Sequence, residues 1–308
     1  MNPALGIDIG GTHLRAAVVA VDGTVIRSLH RKLPVHDPAG VLQQVLAARQ
    51  ALEYPQGPIG IGLAACMLLA QGLVTVAPNL GWVNVPFGDM LKQHLGQPVR
   101  LVNDLDAITM GEARFGAGAG ASDVVCMFLG TGLGMGALVH GTLLEGADGL
   151  ATELGHIRIA SVTDGRRCGC GQRGCLEAYT SGRHLPELLL AKIAEGVPCA
   201  LANQPAETVN AAAIEAAAQR GDQACCQLWQ DIGTRVAQAL GCVVTLLNPR
   251  VLVLGGGVLT AAPSLLQQVC AQLTQYAAPP VLANLRVSEA RLGDIAGVVG
   301  AACLARES

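Results

Sequence analysis

Short apolar runs, each broken by glycine, aspartate or proline, dominate the first third of the chain. Residues 5–9, 14–20 and 24–30 read as three strands, separated by a Gly-Gly-Thr turn and an Asp22-Gly23 hairpin turn. Apolar spacing makes 38–53 a helix, 98–102 a strand, and 104–115 a second helix that an aspartate begins. A link of small residues at 116–121 follows. Residues 124–129 and 135–139 then repeat the opening pattern of strand, Gly/Thr turn and strand. The stretch 146–174 is loop-rich and holds a group of cysteines. Helices are expected at 185–195, 209–220 and 222–247. A strand at 251–254 runs into Gly255-Gly256-Gly257 and a helix at 262–275, and a last strand at 285–287 leads to a helix at 294–305. Strands and helices alternate throughout, so the class is α/β.

One stretch imitates a membrane span. No charge lies between Glu53 and Asp89, and 59–77 would score as a span on hydropathy alone. Gly60, Gly62 and Gly72 punctuate it, Pro58 and Pro78 bound it, and Gln71 sits inside. Two buried strands, 59–64 and 73–77, joined by a Gln-Gly turn account for it better. The start of the chain lacks a basic segment and carries Asp8 early, so no signal peptide is expected.

With 308 residues there is enough chain for two domains with buried cores. The link at 116–121 suggests a smaller N-terminal α/β lobe over 1–117, completed by the helix at 294–305, and a larger lobe over 118–293. A formal net charge of −3 and the lack of a one-sign charge block argue against a nucleic-acid or membrane partner. Eleven cysteines without a secretion signal fit reduced thiols in a cytoplasmic protein better than a disulfide scaffold.

Three constellations can carry chemistry. In the first, a strand ends at Asp8 and turns back through Gly10, Gly11 and Thr12. Backbone N–H groups in such a turn can cradle phosphate oxygens, the carboxylate can hold hydrated Mg²⁺, and an ordinary glycine hairpin is the competing explanation. A second copy, Gly130-Thr131-Gly132-Leu133-Gly134, favours a polyphosphate clamp, and Gly256 and Gly257 offer a third close approach beside a nucleotide base. Gly169 to Gly174 also spells G-x-G-x-x-G, but it lies among cysteines rather than after a strand and is no dinucleotide motif.

In the second, His156, Cys168, Cys170 and Cys175 form a Cys₃His set, which suits a closed, structural Zn²⁺ site. Glu153 and Glu177 flank it, so the ion would fix two carboxylates where they can orient the hydroxyls of a polyol. In the third, a strand ends at Asn103-Asp104 before a helix. The aspartate there is either a helix cap or a general base for a substrate hydroxyl; Asp106 lies further from the strand end. Asn79 and Trp82 in the turn Pro78-Asn79-Leu80-Gly81-Trp82 either touch a sugar or simply pack.

Together these residues resemble the ROK family of sugar kinases and sugar-sensing repressors, and most of all its glucokinases. The likeness runs through DIGGT at 8–12, PNLGW at 78–82, ND at 103–104, GTGLG at 130–134, ELGH at 153–156, CGCGQRGCLE at 168–177 and GGGV at 255–258. The resemblance implies an actin-like, ribonuclease-H-like ATPase fold of two lobes with a cleft between them. It further implies ATP-dependent phosphorylation of a hexose, normally glucose at the 6-hydroxyl, in a homodimer. Asp104 would be the base, and Asn79, Asn103, Glu153, His156 and Glu177 would bind sugar, with one His156 nitrogen on zinc. Asp8, Gly10, Gly11, Thr12, Thr131, Gly132, Gly256 and Gly257 would line the site of ATP and Mg²⁺.

Two single residues and one segment depart from the family pattern. His13 stands where lysine or asparagine is frequent, and Asp106 replaces a frequent asparagine. Ala64-Ala65-Cys66 stands where a Pro-Gly pair is usual, which bears on sugar identity and affinity rather than on the catalytic step. Other readings are a kinase for N-acetylglucosamine, N-acetylmannosamine, fructose, mannose or allose, polyphosphate as donor, or a non-catalytic sensor. A repressor would need a helix-turn-helix ahead of residue 8.

Overall fold

A computed structural model of the chain describes residues 2–307. In chain order its first strands are β1 (Ala4–Ile9), β2 (His13–Val19), β3 (Val25–Lys32), β4 (Ile59–Leu63), β5 (Cys66–Leu68), β6 (Leu73–Ala77), β7 (Trp82–Val85) and β8 (Val99–Asn103). After them come β9 (Val124–Leu129), β10 (Leu133–Val139), β11 (Thr142–Leu143), β12 (Val251–Gly255) and β13 (Arg286–Glu289). The helices are α1 (Pro38–Ala51), α2 (Phe87–Leu95), α3 (Asp104–Phe115), α4 (Leu185–Ala194), α5 (Ala211–Gln219) and α6 (Gln223–Leu247). Then follow α7 (Gly257–Ala261), α8 (Pro263–Tyr276), α9 (Pro279–Leu282) and α10 (Ala296–Arg306).

Two five-stranded sheets share one topology, β3-β2-β1-β4-β8 and β11-β10-β9-β12-β13. The repeat seen in the sequence is therefore a repeat of architecture. Both opening hairpins join a six-residue strand to a seven-residue strand, through Gly10-Gly11-Thr12 in one case and Gly130-Thr131-Gly132 in the other. By packing, the described residues form two compact units. One runs to Val125 and includes Gly136–Thr152 and the chain from Ala290 on; the other is Cys126–Met135 with Glu153–Glu289.

The apolar stretch 59–77 holds a third strand between the two expected, and these do not pair with each other. β4 lies in the large sheet, parallel to β1 and β8, whereas β6 belongs to a separate three-stranded sheet with β5 and β7. The Gln71-Gly72 turn joins β5 to β6, with Gly72 at φ 61°. β5 and β7 are too short to show a period in sequence. Among the described residues, no helix is long and apolar enough to cross a membrane.

In the first unit, α10 lies against β1, β4 and α3. Ten of its eleven residues are buried, and most are alanine or glycine. A Cβ on Gly6 would strike the Val298 carbonyl, and one on Gly60 the Ala301 carbonyl. One on Gly300 would strike the Ala107 carbonyl. Backbone meets backbone at all three places, so no side chain can rotate away to make room. Glu112, fully buried in α3, anchors the chain as it returns: Oε1 accepts the Arg291 and Leu292 N–H groups at 2.9 and 2.7 Å, and Oε2 accepts that of Ala117 at 2.8 Å. Every oxygen of this buried carboxylate is thus satisfied.

The second unit is built on the long helix α6, which packs on α8. Trp229 of α6 is fully buried and donates its indole N–H to Glu215 Oε2 at 2.9 Å. Glu215 Oε1 in turn accepts from the Ser264 N–H and hydroxyl. A buried carboxylate again ties three helices together.

The glycine contacts give the first prediction. Gly300→Ala or Gly6→Ala should lower the unfolding free energy by about 2–3 kcal/mol or more, since overpacking here must move backbone. Gly257→Ala, whose Cβ position has nothing within 4 Å, should change it by less than about 1 kcal/mol. Denaturant titration of the three variants checks this; equal effects at all positions would overturn it.

Candidate active site

Parallel pairing aligns Leu63 of β4 with Ile9 of β1 and with Asn103 of β8. The carboxyl ends of three adjacent strands therefore lie together, the edge at which open α/β sheets bind ligands. The Gly10-Gly11-Thr12 turn, the Ala64-Ala65-Cys66 segment and the start of α3 all leave from that edge.

Asp8 is set opposite Arg15 by the hairpin register, with Arg15 Nη1 3.9 Å from its carboxylate. Arg15 also reaches Asp294 at 3.4 Å. Burial pushes the Asp8 carboxyl above its ordinary 3.8; the Arg15 guanidinium opposes that rise and Asp294 adds to it. The turn itself is closed by the Gly10 N–H on the His13 carbonyl at 3.0 Å. His13 Nδ1 lies 2.9 Å from the Thr12 hydroxyl, and His36 Nε2 donates to the Gly11 carbonyl at 2.8 Å.

Asn79 is exposed in the turn between β6 and β7. Its Cβ lies 2.8 Å from where a Gly11 side chain would begin, so only glycine lets the two turns meet. Trp82 is part of the core instead of a wall for a ligand. It is 3% exposed, packs at a tilt against Phe87 with ring centres 4.9 Å apart, and donates its indole N–H to the His36 carbonyl.

The helix cap at the start of α3 is Asn103, not Asp104. Asn103 Oδ1 accepts the Leu105 N–H at 2.8 Å, while its Nδ2 donates to the Ala65 carbonyl at 3.1 Å. That second bond ties the cap to the segment that departs from the family pattern. Asp104, the first residue of the helix, accepts the Leu105 N–H at 3.0 Å through Oδ1 and is half-buried. Asp106, two residues on, is buried within the helix packing.

The second unit repeats the arrangement at the ends of β9 and β12, neighbours in their sheet. Gly130 and Gly257 are neighbours there: a Cβ on the first would lie in ordinary contact, 3.9 Å, with the amide nitrogen of the second. Gly256 has φ 98°, a conformation that favours glycine. The turn at Thr131 is braced from behind by the Gly182 N–H on the Gly130 carbonyl, 2.8 Å, and the Arg183 N–H on the Thr131 carbonyl, 3.2 Å.

Glu177 links this turn to the cysteine cluster. Its Oε2 accepts the Leu133 N–H at 3.1 Å, and its Oε1 accepts the Cys168 thiol at 3.5 Å. A Cβ on Gly132 would press on the same carboxylate, 2.6 Å away. Around the cluster, the donor atoms of His156, Cys168, Cys170 and Cys175 all lie within 4.8 Å of one another. Cys168 Sγ is 3.7 Å from His156 Nδ1, and Cys170 Sγ is 3.7 Å from Cys175 Sγ. Zn–S bonds of about 2.3 Å at tetrahedral angles give ligand separations of roughly 3.8 Å. A disulfide would need about 2.0 Å. The residues thus fit a tetrahedral, thiophilic cation. Burial pushes the Cys168 and Cys175 thiols up, so their thiolates need positive partners. Arg158 Nη1 supplies one, 2.8 Å from Cys175 Sγ. His156 Nε2, its other nitrogen, faces Glu153 at 3.9 Å.

Two partners were missed in the sequence. Arg15 was legible, because a three-residue turn after Ile9 sets Asp8 against Arg15. Arg158 was not, since a local motif gives no hint of which arginine a knuckle will fold against.

The ROK family model matches residues 4–308. A glucokinase of Thermotoga maritima is 32% identical over 312 residues, which cover 98% of this chain and 97% of the relative. An N-acetyl-D-glucosamine kinase of Pectobacterium atrosepticum is 30% identical, with 97% of each chain covered. Among solved structures, a ROK family glucokinase from Streptomyces griseus in complex with glucose and AMPPNP superposes with a TM-score of 0.81 at 32% identity, covering all of both chains. With its two like-ordered sheets and matching motifs, the chain is an α/β protein of the actin-like, ribonuclease-H-like class and belongs to the ROK family.

Proposed function

We propose that this protein is an ATP-dependent hexose kinase that transfers the γ-phosphoryl group to the 6-hydroxyl of glucose. The observation that carries the reading is Asp104: a carboxylate leading a helix at the carboxyl end of β8, its place held by the two-sided Asn103 cap. The glucokinase relatives, one solved with glucose and AMPPNP, support it.

In this mechanism Asp104 accepts the proton of the 6-hydroxyl as its oxygen attacks the γ-phosphorus. The bond from that phosphorus to the bridging oxygen breaks, and ADP leaves. Asn79, Asn103, Glu153, His156 and Glu177 orient the remaining hydroxyls. Gly10, Gly11, Thr12, Thr131, Gly132, Gly256 and Gly257 allow phosphates and base to approach backbone N–H groups. Magnesium, when bound with ATP, neutralises phosphate charge, and Asp8 is the residue that would hold its hydration shell. Zinc is the ion that His156, Cys168, Cys170 and Cys175 would hold, and its task would be structural: to fix the His156 ring, whose other nitrogen faces Glu153. A homodimer and a cytoplasmic location complete the reading; the second rests on the thiolate set, which oxidation would destroy.

A second reading, a kinase for an N-acylhexosamine, is favoured by the N-acetylglucosamine kinase relative. A coupled ADP-release assay over glucose, mannose, fructose, allose, N-acetylglucosamine and N-acetylmannosamine separates the two. Glucose should lead; preference for an N-acyl sugar would select the second, and no turnover on any would point to a sensor.

Asp104→Asn should lower kcat by about 10³-fold or more while glucose binding by calorimetry stays within a few-fold. Weakened binding with intact turnover would overturn the role. Asp8→Asn should act in two directions. Because its folded pKa is raised above 3.8, ionising Asp8 destabilises the fold as pH rises from that value. Without magnesium or nucleotide, the variant should melt higher than wild type at pH 7. The gain should close below pH 3.8, where the aspartate is neutral in both states. Its turnover with magnesium and ATP should fall. A melting gain independent of pH would refute the cause. Cys168→Ser should remove about one zinc per chain by elemental analysis and weaken glucose binding; unchanged metal would refute the ligand set.

A further inference from the structure

A second group of metal-type donors lies in the unit built on α6, away from the His156 cluster in sequence and formed by different elements. The Cys199 and Cys225 sulfurs and the Asp222 carboxylate bring their donor atoms within 4.8 Å of one another. Asp222 is the N-cap of α6 and Cys225 the third residue of its first turn, so both project from one face of the helix start. Cys199 comes from the segment after α4, and the residues on either side of it are held by hydrogen bonds to the start of α6. The Ala200 N–H donates to Asp222 Oδ2 at 2.6 Å, and the Ala224 N–H donates to the Pro198 carbonyl at 3.2 Å. These two bonds bring the Cys199 segment against the start of α6.

We propose that Cys199, Asp222 and Cys225 form a second divalent-cation site, of borderline-soft type and suited to zinc, that clips the 197–202 segment to the start of α6. Two thiolates and one carboxylate select zinc or cadmium over magnesium or calcium, which prefer all-oxygen shells. Asp222 can still take part: besides the Cys225 and Ala200 N–H groups its carboxylate accepts the Cys199 and Cys225 thiols, and ionising those thiols onto a cation frees the lone pairs they occupy. The net charge of one dication with these three anions is negative, and the positive end of the 25-residue helix opposes it. With three protein donors the fourth position is open to water. Neighbouring Cys226 is not a ligand, because its exposed thiol turns to the Ala218 carbonyl at 3.4 Å.

The site is tested by difference on the full chain, equilibrated with zinc under reductant and desalted. Cys199→Ser should hold about one zinc per chain less than wild type. Cys199→His, which restores a ligand, should recover it. Asp222→Asn, which keeps the helix cap, should bind cadmium more weakly than wild type, as read from the thiolate-to-cadmium absorption band. Cys168→Ser should remove a separate equivalent, additively with Cys199→Ser, so loss of the His156 site leaves this test intact. Equal zinc in wild type and Cys199→Ser would overturn the proposal. So would a thiol count showing that Cys199 and Cys225 form a disulfide instead of holding an ion.

Discussion

The contact on which the first unit depends is the one between backbones where α10 crosses β1, β4 and α3. Gly6, Gly60 and Gly300 remove the side chains that would hold the layers apart, and the helix settles directly on main-chain atoms. This close approach has a functional consequence. Gly297 of the same helix comes so near Asp8 that its Cβ would lie 3.1 Å from the carboxylate carbon. The helix therefore supplies much of the burial that perturbs Asp8. Stability of the sheet and the charge state of its candidate metal-facing carboxylate rest on one interface.

Repetition explains the rest of the layout. Each sheet opens with a hairpin of the same strand and turn lengths and continues into a strand beside the first. In both units the glycine turns consequently leave from the carboxyl edge of adjacent strands. What differs is the equipment at that edge. The first unit carries the carboxylates Asp8 and Asp104, while the second carries backbone turns backed by Glu177 and a thiolate cluster. Glycine is needed where these pieces touch: Gly11 against Asn79, and Gly132 against Glu177.

Carboxylates organise both units in another way. Glu112 and Glu215 are buried and receive hydrogen bonds at both oxygens, so each acts as a fastener between segments distant in sequence. Asp222 does similar work at the start of α6, but with sulfur beside it. That difference in neighbours separates a fastener from a candidate metal site.

Much of this protein was legible in its sequence. Helix α3 and strand β9 were expected at the bounds observed, because an acidic helix start and an unbroken apolar run are local signals. The Cys₃His set, the two glycine turns and Asn103-Asp104 were also readable, since chemistry of that kind needs particular residue types at short spacing. Strands β5 and β7 and helix α2 were not read, as short elements in a continuous apolar stretch leave no clear period. Which residue capped α3, whether Trp82 packed or faced a ligand, and that Arg158 would meet Cys175 were decided only by the tertiary structure. So was the meeting of Cys199 with Asp222 and Cys225. Local sequence sets what a segment can form, but a partner across the fold is chosen by sheet register and helix packing, which integrate constraints from the whole chain.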